Sequence, residues 1–102
     1  MNDPLILINP FSIPTDAVDA FVERWEENTH DLRSAPGFGG TVLHRAIDST
    51  ATFQLVNIAY WDSEEAWRAA TGDRRVAPVS TPAAASRHHI TPYPALYRVI
   101  SR

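Results

Sequence analysis

Phe53-Gln54-Leu55-Val56-Asn57-Ile58-Ala59-Tyr60-Trp61 decides the fold. Its β-branched and aromatic residues read as a strand over about 52–61. Strand alternation places Phe53, Leu55, Asn57, Ala59 and Trp61 on one face and Gln54, Val56, Ile58 and Tyr60 on the other. Both faces are mostly apolar, and so are both faces of Leu5-Ile6-Leu7-Ile8-Asn9, an apolar run that ends at Pro10 and reads as a first strand. An antiparallel sheet with helices on one side alternates apolar-in and polar-out. This pattern does not, so the second sheet face also needs cover.

Working outward, a strand over about 41–47 precedes the first stretch across the polar turn Asp48-Ser49-Thr50, which makes the pair an antiparallel hairpin. Between the first strand and the hairpin, Val18, Phe21, Val22, Trp25 and Leu32 fall on one helical face. Thr15 or Asp16 offers the N-cap, and Pro36-Gly37 the stop. After the hairpin, Asp62-Ser63-Glu64-Glu65 opens a second helix through Ala66, Trp67, Ala69 and Ala70. Residues 73–92, rich in Ala, Pro and Arg, read as an irregular or short helical crossover, and Ala95–Ile100 as the last strand. The order β-α-β-β-α-β is the ferredoxin-like α+β arrangement, with both helices on one face of the sheet, in a single domain over 1–102. Two helices cannot cover both faces; a homodimer packed sheet against sheet would.

Composition bounds the chemistry. A net charge of −3 gives no basic field for nucleic acid or an anionic membrane. There is no cysteine, hence no thiolate nucleophile, iron–sulfur cluster or disulfide. All 9 basic residues are arginine, so Schiff-base lysine chemistry and a Walker-type lysine are excluded. The 4 glycines, three of them in Gly37-Phe38-Gly39-Gly40, supply no dinucleotide fingerprint. No run approaches the roughly 20 apolar residues of a membrane span, and Met1-Asn2-Asp3-Pro4 lacks the basic start of a signal peptide. The expectation is a soluble, cytoplasmic protein.

Asn57 interrupts an apolar face, and alternation points it to the same side as Trp61. A buried amide needs hydrogen-bond partners, and an indole adds one N–H donor beside it. Together they would orient a polar aromatic ligand between sheet and helices; otherwise Asn57 serves a local backbone irregularity and Trp61 is core. Asn9 is the analogous polar position at the end of the first strand, or simply a turn initiator before Pro10. Trp25 and Trp67 lie on the inner helix faces, as core or as walls of a flat pocket. His30, His44, His88 and His89 are the available imidazoles. His44 shares a strand face with Val42 and Ala46, in a cavity or in the dimer interface, and His30 lies on the polar side of the first helix. The four lack metal-site spacing. Arg74, Arg75 and Arg87 either reach an anionic substrate or sit on the surface.

Ile8-Asn9-Pro10-Phe11, Phe21…Trp25, Pro36-Gly37-Phe38, Leu43-His44-Arg45, Phe53…Val56-Asn57…Trp61, Ser63…Ala66 and Pro94-Ala95-Leu96-Tyr97 form an ordered set over nearly the whole chain. This set resembles the antibiotic biosynthesis monooxygenase family. The resemblance implies a dimeric α+β barrel that oxidises polycyclic phenols or anthrones to quinones, with O2 as co-substrate and no metal, flavin or haem. By that resemblance Asn57 and Trp61 look like the strand asparagine and tryptophan placed at the substrate. The tyrosine expected six residues beyond is Trp67 here, and Arg87 stands in for the family's loop arginine. The reading assigns Trp25, Phe53 and Trp67 to the cavity, Asn9 and Arg87 to substrate binding, and the base to His44 or His88. The same superfamily contains haem-degrading enzymes. Asn9 matches their asparagine, but their tryptophan falls at Ala70 and their axial histidine at Ser80, unless a shift brings in His88 or His89. Polyketide cyclisation or aldol chemistry on the same fold, and a non-catalytic ligand-binding dimer, are the alternatives.

Overall fold

The computed structural model describes residues 5–71 and 90–102. Strand β1 (Leu5–Ser12) leads through a 3₁₀ turn at Thr15–Ala17 into helix α1 (Val18–Thr29). A second 3₁₀ segment, His30–Ser34, precedes the hairpin of β2 (Phe38–Arg45) and β3 (Leu55–Trp61). Helix α2 (Glu64–Thr71) and two short strands, β4 (Thr91–Pro92) and β5 (Ala95–Tyr97), complete the described elements. The sheet is antiparallel, ordered β2-β3-β1-β4, with β5 also on β1. Its inner face is buried at Leu5, Leu7, Asn9 and Phe11 and at Leu55, Asn57, Ala59 and Trp61. Both helices pack on that face, which is the expected α+β ferredoxin-like arrangement.

Several boundaries differ from the sequence reading. Strand β1 runs through Pro10 rather than ending there. The Pro10 carbonyl accepts from the Tyr93 N–H at 2.9 Å, so the missing proline N–H faces the break between β4 and β5, where it interrupts no ladder. Neither Thr15 nor Asp16 caps α1 with its side chain; Ala17 is its N-cap, after the Ala17 N–H bonds the Pro14 carbonyl at 3.0 Å. The α-helix stops at Thr29, short of Pro36-Gly37. The Thr29 hydroxyl turns back to the Trp25 carbonyl at 2.8 Å, and the chain tightens to 3₁₀. Ser63 does cap α2, its Oγ accepting from the Ala66 N–H at 3.1 Å, with Glu64 and Glu65 in the first turn.

The β2–β3 connection is longer than a three-residue turn, covering 46–54. Gln54 leaves the strand and buries its amide, donating to the carbonyls of Asp48, Ser49 and Ala51 at 3.0–3.1 Å. Phe53 therefore lies in the connection, edge-on to Tyr93 with ring centroids 5.5 Å apart. The terminal strand is also shorter than Ala95–Ile100. Tyr97 sits opposite Ile6, close to the end of described β1, and Ile100 is exposed. Residues 91–92, expected as crossover, instead pair with Ser12 and Phe11.

Two glycines carry backbone that other residues resist. Gly37 has φ +81°, and a Cβ there would meet the Ala66 Cβ at 2.6 Å. Its carbonyl accepts from the Asp62 N–H at 2.8 Å, which clamps the approach to β2 against the start of α2. Gly40, with φ +116°, sits at the register shift after Phe38.

The core forms two clusters. One joins Phe11, Ile13, Val18, Phe21, Trp25, Leu55 and Ile90, with Phe11 and Phe21 tilted at 4.9 Å. The other joins Leu5, Leu7, Ala59, Trp61 and Trp67, with Ala35, Ala66 and Ala70 against them. The outer sheet face carries half-buried Ile6, Ile8, Val56 and Ile58, and Val42 (53%), Tyr60 (40%) and Tyr97 (49%) are exposed. It is the apolar second face that the alternation implied.

Candidate functional site

A polar row crosses the sheet between the two clusters. Asn9 on β1 lies directly opposite Asn57 on β3, and Leu43 on β2 lies opposite Asn57 on its other side. Both asparagines are inward and enclosed, Asn9 at 0% exposure and Asn57 at 5%. The first cluster takes up the face at Phe11 and Leu55, the second at Leu7 and Ala59. The row is thus set where period-2 alternation would otherwise have continued the apolar core.

Each asparagine is held by its oxygen. The Thr41 hydroxyl, on β2, donates to Asn57 Oδ1 at 2.5 Å. The Tyr93 backbone N–H donates to Asn9 Oδ1 at 3.2 Å. Among the described residues, three buried N–H donors find no partner: Asn9 Nδ2, Trp25 Nε1 and Trp61 Nε1. A buried donor left unpaired costs about 1–3 kcal/mol. Three such donors among the described residues of one small domain call for an explanation.

Trp61 heads the second cluster, with Phe38 edge-on at 5.0 Å and Trp67 in the same cluster. Trp25 belongs to the first cluster and lines a groove of about 690 Å³ between α1 and β2, with Val22, Thr41 and Leu43. A second depression of about 430 Å³ continues past Trp25 and Thr41 toward Phe38. Arg33 borders both, and Arg45 pairs with Asp19 at 3.3 Å on the rim. Thr41 links this groove to Asn57, since it lines the one and bonds the other.

The structure therefore sets Asn9 opposite Asn57 and puts Trp61 and Trp67 in one cluster, all on the inner side of the sheet, with Trp25 in the other cluster. It separates His44 and Phe53 from them. His44 is opposite Val56, on the outward set of positions, exposed, with Nδ1 3.2 Å from the Val56 carbonyl. Because neighbouring strand residues point to opposite faces, His44 points away from Asn57 within one chain, although it borders the α1–β2 groove with Trp25 and Thr41. Phe53 packs on Tyr93 rather than facing the row. His30 is exposed. Arg74, Arg75, Arg87, His88, His89 and Ser80 lie outside the described residues. The sequence reading missed Thr41 and the direct opposition of the two asparagines. One polar residue on each apolar strand face was the available signal, but their pairing needs the register.

Ala70, where the haem-degrading pattern requires a tryptophan, packs against the second cluster. Both described imidazoles, His30 and His44, are exposed, so neither stands ready as an axial ligand on the inner face.

Comparison with known proteins fits this architecture. A Shewanella loihica protein provisionally described as a monooxygenase superposes with a TM-score of 0.79 at 38% identity, covering 100% of this chain and 99% of the other. SnoaB of Streptomyces nogalater, a cofactor-independent oxygenase seen as an asparagine-to-alanine mutant, shares the fold with a TM-score of 0.76 at 22% identity, covering 99% and 97%. A mycobilin-producing haem oxygenase of Mycobacterium tuberculosis is 29% identical over 66 residues, which span 65% of this chain and 61% of that protein's length. The antibiotic biosynthesis monooxygenase model matches residues 4–76, a stretch that holds the first helix, the hairpin and both asparagines. With the polar row, Trp61, Trp67 and strands β1–β3 inside that match, the chain belongs to the antibiotic biosynthesis monooxygenase family.

Proposed function

We propose that the protein is a cofactor-independent oxygenase that converts an aromatic polyketide-type phenol or anthrone to a quinone with O2. The observation that carries this reading is the enclosed Asn9–Asn57 row with the unpartnered Trp61 N–H on the same face of β3, four residues along the strand. In such a reaction an anthrone methylene becomes a carbonyl: one oxygen atom of O2 enters the new C=O and the other leaves as water. The electrons come from the substrate enolate, so the protein need only bind, orient and exclude bulk water. Asn57 and Trp61 donate to the substrate oxygen and to the negative charge that develops on it. Trp61 and Trp67 supply flat surface for the rings, with Trp25 on the groove side. His88 is the base and Arg87 the anion-binding residue in this reading. A second copy of the chain covers the outer face around Ile58 and Tyr60, as a homodimer in the cytoplasm.

The test is oxygen uptake by chelator-treated protein with a panel of anthrones and hydroxynaphthalenes, against an enzyme-free blank. Uptake above the blank with a quinone absorption band is the expected outcome. Binding without uptake favours polyketide cyclisation or aldol chemistry on the same row. Neither binding nor uptake leaves the non-catalytic dimer.

A further inference from the structure

The groove between α1 and β2 has a direction. Helix and strand run antiparallel, so Asp19 in the first turn of α1 meets Arg45 at the end of β2, and their ion pair at 3.3 Å closes that end. Trp25 and Thr41 lie midway and line both depressions, and Thr41 bonds Asn57. The other end opens between Arg33, in the 3₁₀ segment after α1, and Phe38, Gly39 and Gly40 at the start of β2. Two successive glycines leave that wall without side chains, and a Cβ added at Gly40 would meet nothing within 4 Å. There is room at this end for a substituent carried by a ligand.

The charges along the groove are not equivalent. Arg45 is engaged with Asp19, and His44 Nδ1 lies 3.2 Å from the Val56 carbonyl. Arg33 borders both depressions yet has no ion pair or hydrogen bond among the described residues. Glu23 and Glu26 stand on the α1 wall, where they repel an anion laid against the helix and favour placing it at the Arg33 end. A guanidinium matches a carboxylate through two parallel N–H···O bonds. We infer that Arg33 is a substrate-binding residue and that the protein takes an aromatic substrate bearing a carboxylate: the rings lie along Trp25 and Leu43, the reacting ring faces the asparagine row, and the carboxylate meets Arg33 at the open end. The inference rests on the row being the ligand site, as proposed above, and adds Arg33 to Arg87, which lies outside the described residues. Arg33 is exposed, so water screens the pair, and its effect is to choose between ligands more than to hold them.

The test compares two probes of one shape by titration calorimetry in dilute buffer: 6-hydroxy-2-naphthoate and its neutral amide, 6-hydroxy-2-naphthamide. The expected wild-type preference for the carboxylate is about fivefold, in line with one exposed ion pair, and it shrinks as salt is added. Arg33→Gln, at an exposed position outside both apolar clusters, abolishes the preference and leaves binding of the amide unchanged. Glu26→Gln, which removes the acid that shares both depressions with Arg33, widens it to about tenfold. A preference that survives Arg33→Gln, or one that narrows in Glu26→Gln, overturns the inference. Equal binding of the two probes by the wild type also overturns it, while leaving the row as a ligand site. Asn57→Ala separates the two readings: both probes should weaken alike with the preference intact. Probes that ignore Asn57→Ala but still respond to Arg33→Gln remove the row and keep Arg33. No binding of either probe to the wild type overturns both.

Discussion

The two apolar clusters on either side of the asparagine row are built from different materials. The first is bulky and branched, with Phe11, Phe21, Val18, Ile13 and Leu55 interlocked around the foot of α1. The second sets two indoles, Trp61 and Trp67, against Ala59, Ala66 and Ala70. Interlocking branched side chains fill volume and stabilise. Alanines facing indoles let backbone elements approach closely, as Gly37 does at Ala66, and leave flat aromatic surface next to a polar row. Apart from Trp25 at its groove edge, the first cluster is built for stability, and the second carries most of the ring surface and the Trp61 N–H that the proposed chemistry uses.

Breaking the first cluster should give the largest effect. Phe21→Ala should cost about 3–5 kcal/mol of stability, read as a lower urea midpoint, with turnover per folded molecule close to wild type. A loss well below that range would show that the first cluster is not the main stabilising unit. Asn57→Ala should do the reverse: turnover falls by about 10²–10³-fold, as when a donor to a developing oxyanion is removed, while the unfolding midpoint shifts modestly. Equal activity in that variant would remove the row from the mechanism.

The smallest effect lies beyond both clusters, at the far end of the hairpin. Asp48 accepts from the Thr50 N–H and hydroxyl, both at 2.8 Å, and these bonds hold its carboxyl below the ordinary 3.8. A carboxylate with a depressed folded-state pKa contributes stability above its unfolded value and loses it as pH falls through the folded one. The urea midpoints of wild type and Asp48→Ala should therefore differ slightly at neutral pH and converge once the pH drops below 3.8. A gap that widens in acid would reverse the assigned sign.

The order of elements was legible because helix and strand periods are carried by local residues: Val18, Phe21 and Trp25 for α1, and the alternation of Leu55 to Trp61 for β3. Asn57 stood out as a polar residue on an apolar face. What escaped the reading depends on contacts far apart in sequence. Gln54 leaves the strand because three loop carbonyls claim its amide. The side of the sheet on which His44 falls follows from its pairing with Val56. Asn9 and Asn57 become one feature only through the β1–β3 register, and Thr41 only through a bond between neighbouring strands.

Pro10 has a consequence for how the chain survives its own synthesis. Strand β1 lies inside the finished sheet, yet its neighbours β4 and β5 are made after β2 and β3, and the bond that seats Asn9 spans 84 residues. A nascent chain carrying the hairpin but not yet residues 91–97 exposes one long edge of β1, the kind of edge that invites pairing with other chains. Pro10 places a residue without an N–H in the middle of that edge, on the side that waits. The interruption that later splits β4 from β5 also blunts β1 against aggregation while its permanent partners are still being translated.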